Sequence, residues 1–487
     1  MPSGAGLPAE ALRKLRGDRR PRLSGRAQLD RFLPVTKIVG LRSTGQMSTP
    51  APTRAACRII SCMAALPEPS SILSFEDARH LVEEHAAHLR PHGKELVELL
   101  EGAGQILAEP VLADRNFPPF ARAMRDGYAV RAADISRLPA TLEVIGEIKA
   151  GARTEDVPAL QAGQAAAIMT GAPAPPGSDA VVMVEHTARD GVRVQIMKPV
   201  AAGDNIAAMA SEAKRGERLL SPGARLDYAA IAVAASVGRS RLLVYRKPKV
   251  AILATGDEIV DIDVPPAATQ IRNSNTYSLA AQVQAAGGEP VLLPIAPDEP
   301  ARLRELIADA LESDLVLLAG GVSMGKYDLV EAVLAEFGAE FFFTGVLIQP
   351  GKPAVFGRVP CGRGRLARES ASSPAHVYFF GLPGNPVSTM VTFELFARPV
   401  LEALAGMAPR QMAFLQARLK SEITTKTGLK RFLPAILSGE FEHAEVELVA
   451  WHGSGDVAAM ARANCYIVIP ADRNRIAAGE SVAILMR

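Results

Sequence analysis

The chain has 487 residues, of which 48% are hydrophobic and 22% charged, enough for about three globular domains and too apolar for a disordered polymer. Its longest apolar run, around residues 228–237, is far too short to span a bilayer, so no membrane segment is expected. Residues 1–62 hold 12 Lys+Arg against 3 Asp+Glu, a local +9, so the other 425 residues carry −7 of the overall +2. An acidic body argues against nucleic acid as the main partner.

The basic stretch 1–62 has no long helical period. It reads as a targeting peptide, a disordered arm or, preferably, a start set too early, since Met63 lies just before the first well-patterned helix. That helix begins after Ser74, a candidate N-cap, with Ala78, Leu81, Val82 and Ala86 on one face. Extended pieces and proline turns follow to about residue 120, then a turn at Asp126-Gly127. Residues 121–205 alternate as strands punctuated by Gly and Pro, which suits a small β-rich domain, with Thr170 in an exposed loop at a strand end. Residues 206–244 hold an Ala-rich helix ended by Gly238 and, with 63–120, form a discontinuous linking domain.

From about 245 to 404 the pattern becomes strand–helix alternation, the mark of a doubly wound α/β domain. Its buried strands run into the loops TGDE (Thr255 to Glu258), GGVSMGKYD (Gly320 to Asp328) and GLPGNPVS (Gly381 to Ser388). A lone Gly-Gly pair is more often a plain turn. Three such loops brought by right-handed crossovers to one sheet edge point instead to a ligand site. Glycine N–H groups at Gly320 and Gly321, with the Ser323 hydroxyl, can hold phosphate or a polar ring edge without adding charge. The polar stretch 361–376 reads as an inserted loop, and residues 405–487 as a separate short-stranded β domain. Cys57, Cys62, Cys361 and Cys465 show no pairing or metal spacing, which suits a reducing, cytoplasmic setting.

The ordered set DGYAV, IMTGAPAPPGSDAVV, TGDEI, AGGVSMGKYD, PGKP and GLPGNPVS, with a late GSG and AN, resembles the molybdopterin molybdenumtransferase (MoeA) family, related to the E-domain of gephyrin. It runs from about Ser74 to the C-terminus. The resemblance implies an elongated multidomain chain with α/β, β-rich, linking and C-terminal β-barrel-like parts, acting as a homodimer in molybdenum cofactor biosynthesis. The activity implied is insertion of molybdenum from molybdate into adenylyl-molybdopterin with release of AMP and help from Mg²⁺. Other proteins of the same biosynthesis are candidate partners.

Asp126, Glu258 and Asp328 are then candidate catalytic carboxylates beside Thr170, and Glu258 and Asp328 candidate Mg²⁺ ligands, since carboxylates facing anionic substrates need a cation between them. Lys352 would add a mobile positive charge, and the last loop would bind substrate through Pro383, Gly384, Asn385 and Ser388. By resemblance, Thr170 reaches molybdate from the partner subunit. Asn273, Gln349, Glu212 and Cys465 depart from the commoner family pattern of Asp, Lys, an Asp-containing string and Gly. The competing readings are the sister adenylyltransferase activity, whose fold matches only the α/β part, and a non-catalytic scaffold.

Overall fold

The computed structural model describes residues 72–321, 329–360 and 376–487. Ser74 caps the first helix, Phe75–His88, by accepting the Asp77 N–H at 3.1 Å. The helix buries Phe75, Ala78 and Val82 in an apolar cluster with Val250, Phe343 and Phe396 of the α/β domain.

That domain holds a six-stranded sheet in the order Glu289–Leu292, Lys249–Ala254, Leu315–Ala319, His376–Leu382, Val355–Pro360, Glu340–Phe343. The first four strands are parallel and the last two join antiparallel. Leu315–Ala319 is buried throughout, as a strand with helices on both faces must be. One face packs on the helices Ser274–Ala285 and Pro386–Thr392, the other on Pro300–Ala310 and Leu329–Glu336. Strand Val355–Pro360 went unread in the sequence because its run VFGRVP is broken by glycine, arginine and proline.

The β-rich module is a six-stranded sheet ordered Ala180–Met183, Gly127–Val130, Gln164–Ile168, Ala140–Ile148, Arg193–Ile196, Thr187–Asp190. Between it and the α/β domain, strand Lys94–Glu98 pairs with Arg241–Tyr245. Helix Tyr228–Ser236 buries Ala230 and Ala234 against Leu107 and Val244 nearby. At the C-terminus Lys430–Ser438, Glu445–Leu448, Leu415–Leu419, Ser481–Met486 and Cys465–Ile469 pair in turn, and the last returns to the first, closing a β-barrel. Closure removes the free sheet edges that so short a sheet would otherwise expose. Among the described residues no helix is long and apolar enough to cross a membrane.

Candidate active site

The α/β sheet places the site. Its first strand, Lys249–Ala254, has the next strand in sequence on one side, Glu289–Leu292, and the third on the other, Leu315–Ala319. The loops leaving the two central strands therefore diverge, and a crevice opens beyond their carboxyl ends. It encloses about 690 Å³. Thr255 and Glu258 line it from the first loop, Gly320 and Gly321 from the second, and Pro383, Gly384 and Asn385 from the third.

The glycines are steric requirements here. Gly320 and Gly321 have φ of +93° and +64°, and a Cβ on Gly321 would stand 2.5 Å from Thr255 Oγ1 and 2.6 Å from Val330 Cγ2. Gly256, at φ +141°, lets the Glu258 carboxylate fold back over the loop, where a Cβ would meet Glu258 Oε2 at 2.5 Å.

The floor of the crevice is polar and incompletely paired. Asn275 donates from Nδ2 to the Gly384 carbonyl at 2.7 Å, tying a helix to the third loop, but its Oδ1 has no partner among the described residues. Among the described residues Thr255 Oγ1 is without a partner as well, and so, behind the crevice lining, is the buried Thr276 Oγ1. A buried hydroxyl or amide oxygen left unpaired costs about 1–3 kcal/mol, so its retention needs an explanation. Asn273, where an acid was expected to be the commoner residue, caps helix Ser274–Ala285 by accepting the Thr276 N–H at 3.1 Å. At the rim, burial first and then the charges of Asp257 and Glu258 hold the Asp298 carboxyl above its ordinary range. The local field there is negative and favours a cation.

Of the residues expected at the site, Glu258, Gly320, Gly321, Pro383, Gly384 and Asn385 meet at this crevice. Lys352 precedes Pro353, which lines it. Ser388 is buried within helix Pro386–Thr392, and its carbonyl accepts the Thr392 hydroxyl. Ser323 and Asp328 lie outside the described residues. Asp126 and Thr170 sit together on the β-rich module and do not line the crevice of their own chain. Thr170 donates from both its backbone N–H and its hydroxyl to Asp126 Oδ1, each at 2.7 Å. The backbone bond first and the hydroxyl second pull the exposed Asp126 carboxyl below its ordinary range.

Sequence reading passed over Asn275 and Val457. Asn275 was visible in IRNSN as a polar residue opening a helix. Nothing local marks Val457, which the barrel brings over the crevice when the Ser454 carbonyl accepts the Val387 N–H at 2.9 Å.

A doubly wound α/β domain with a switch-point crevice, joined to a β-rich module and a closed barrel, defines a protein that binds a small polar ligand at the sheet edge. Residues 73–238 match the MoeA N-terminal region (domains I and II), 251–403 the probable molybdopterin binding domain and 416–486 the MoeA C-terminal region (domain IV). The chain belongs to the MoeA, or molybdopterin molybdenumtransferase, family. It is 36% identical to the Nostoc molybdopterin molybdenumtransferase over 80% of this chain and 88% of that one. It is 33% identical to the Bacillus subtilis enzyme of that name over 82% and 91%. Among solved structures, a molybdopterin biosynthesis MoeA protein from Pyrococcus horikoshii superposes with a TM-score of 0.66 at 29% identity, covering 86% of this chain and all of that one.

Proposed function

We propose that the chain transfers molybdenum from molybdate to adenylyl-molybdopterin and releases AMP. The observation that carries this reading is the crevice itself, where a glycine loop, a carboxylate and unpaired buried polar atoms face one space at the switch point. The Gly320 N–H is taken by the Leu382 carbonyl at 3.1 Å, so an adenylylated pterin would offer its phosphate oxygens to the N–H of Gly321, and ring donors to an acceptor such as Asn275 Oδ1.

Glu258 suits Mg²⁺, which takes one or two carboxylates together with substrate phosphate oxygens and water, and burial first, then the neighbouring charges of Asp257 and Glu258, raise Asp298 close by. Asp328 is the proposed second ligand. Among the described residues no three His, Cys, Asp or Glu groups converge as a metal cluster, so the substrate phosphates would complete the shell. Bound there, the ion would neutralise charge on the phosphates as AMP departs. Glu258 then orients the phosphates, and Lys352 supplies a second positive contact to the oxyanion.

The Asp126–Thr170 pair, outside the crevice of its own chain, supports a homodimer in which each crevice is completed by the partner's β-rich module. A Thr170 variant mixed with a Glu258 variant should then recover part of the activity through one intact composite site. No recovery despite demonstrated subunit exchange would mean that each chain carries its whole site. A cytoplasmic location belongs to the same reading, and the buried, unpaired Cys465 is in keeping with it. The reading as an adenylyltransferase is less favoured, because the relatives matched over all three regions carry the transferase name. Purified protein should release AMP from adenylyl-molybdopterin only when molybdate is present. Consumption of ATP with molybdopterin, and no such release, would overturn the assignment.

A further inference from the structure

Where the α/β domain meets the barrel, strand Ile348–Gln349 pairs parallel with Lys430 and Arg431. Arg431 is only 5% exposed. Its guanidinium donates from Nη1 to Gln349 Oε1, from Nε to Thr425 Oγ1 and from Nη2 to the Lys426 carbonyl. All three acceptors are neutral, and no described carboxylate forms an ion pair with it. A buried cation without a counter-charge is costly, and folds generally pair one or replace it with an apolar residue. Its retention needs a reason beyond packing.

Gln349 opens the loop that continues through Pro350, Gly351 and Lys352 to Pro353 at the crevice. The α/β domain fixes the far end of this loop. The Lys352 carbonyl accepts the Val346 N–H at 2.8 Å, and Gly351, at φ +114°, packs so closely that a Cβ would meet Thr392 Cγ2 at 2.4 Å. Among the described residues it is the barrel, through Arg431, that holds the Gln349 side chain.

We propose that Arg431 is a positioning residue for Lys352: through Gln349 it anchors the loop that presents the lysine ammonium to a tetrahedral oxyanion, molybdate or a substrate phosphate. The rigid, planar fork of arginine grips Gln349 and the 425–426 turn together, which a lysine in its place could not do. Its uncompensated charge also adds positive potential behind the loop, in the sense that favours an anion. This rests on the proposed contact of Lys352 with the oxyanion.

A kinetic cycle of Arg431→Gln, Lys352→Ala and the double variant tests it, with molybdate as the varied substrate and a melting curve for each protein. Arg431→Gln should raise the molybdate KM about ten-fold, the size of one charged hydrogen bond, with kcat within about two-fold. In the Lys352→Ala background the same change should add nothing. Arg431→Lys should stay impaired, because it keeps the charge and loses the fork. Additive effects in the double variant, or full recovery with Arg431→Lys, would overturn the proposal. If Lys352→Ala raises KM and Arg431→Gln does not, the positioning role alone fails. If Lys352→Ala has no effect, the oxyanion contact fails and the positioning role with it. Should Arg431→Gln not fold, Gln349→Ala removes the same contact from the exposed side and must reproduce the rise in KM; its silence would overturn the proposal.

Discussion

A second cavity, of about 400 Å³, lies between helix Phe75–His88, helix Arg398–Leu404, the segment around Arg410 and the end of the last barrel strand. There the buried ions are matched, whereas the switch-point crevice leaves Thr255 and Asn275 with oxygens that no described residue pairs. Glu402, 8% exposed, takes hydrogen bonds from Arg398 Nε at 2.9 Å and Arg410 Nη2 at 2.6 Å. Glu394 accepts from Arg398 Nη1 and Gln282 Nε2, each at 2.7 Å. Arg79 donates to the carbonyl of Leu395, which lies in the π turn Phe393–Ala397. The junction cavity is one where buried charges are paired across domains. The roomier switch-point crevice keeps unmet hydrogen-bonding capacity, which is what a ligand can complete.

The largest expected effect lies on the crevice side. Glu258→Gln keeps the shape and removes one proposed metal-binding charge, so AMP release should fall about a hundred-fold or more with an unchanged melting temperature. A lowered melting temperature with normal turnover would make Glu258 a structural residue and weaken the contrast. Gly321→Ala comes next. Its methyl would press on Thr255 Oγ1 and Val330, so overpacking at a positive φ should cost about 1–3 kcal/mol and impair substrate binding together. Unaltered denaturant midpoints would show that the loop yields.

On the junction side, Glu402→Gln should cost about 1.5–3 kcal/mol of stability, the range for charged hydrogen bonds, and leave the turnover of folded protein intact. Burial pushes the Glu402 carboxyl up, but hydrogen bonds from Arg410 and Arg398 outweigh it and hold its pKa below the ordinary range. A folded pKa below the unfolded one gives stability that is fully present above the unfolded value and lost as pH falls through the folded one. The gap in melting temperature between wild type and Glu402→Gln should therefore be full at neutral pH and shrink under acid conditions below the usual glutamate range. A gap constant with pH would mean that the ion pairs contribute nothing.

The smallest effect is the most discriminating. Thr255→Val removes an unpaired buried hydroxyl at nearly constant volume, so the protein should gain up to about 1 kcal/mol while substrate binding weakens. A loss of stability would reveal that the hydroxyl already has a partner, and the contrast between the cavities would lose one of its supports.

The local elements are legible in the amino-acid order, because their causes are local. Ser74 precedes an apolar helical period, Gly238 follows one, and LVLLA has no polar face to leave in water. The same order shows that three glycine loops follow buried strands, from which Glu258, Gly320 and Gly384 could be placed at one sheet edge. Which neighbours complete them depends on contacts between segments far apart in the chain. The antiparallel strand Val355–Pro360 forms because its partner across the sheet, not its own pattern, supplies the ladder. Val457 reaches the crevice, and Arg431 reaches Gln349, because a barrel closes on itself and docks on the α/β domain. Pairing between residues about eighty positions apart is set by which surfaces bury each other, and no periodicity within either segment records it.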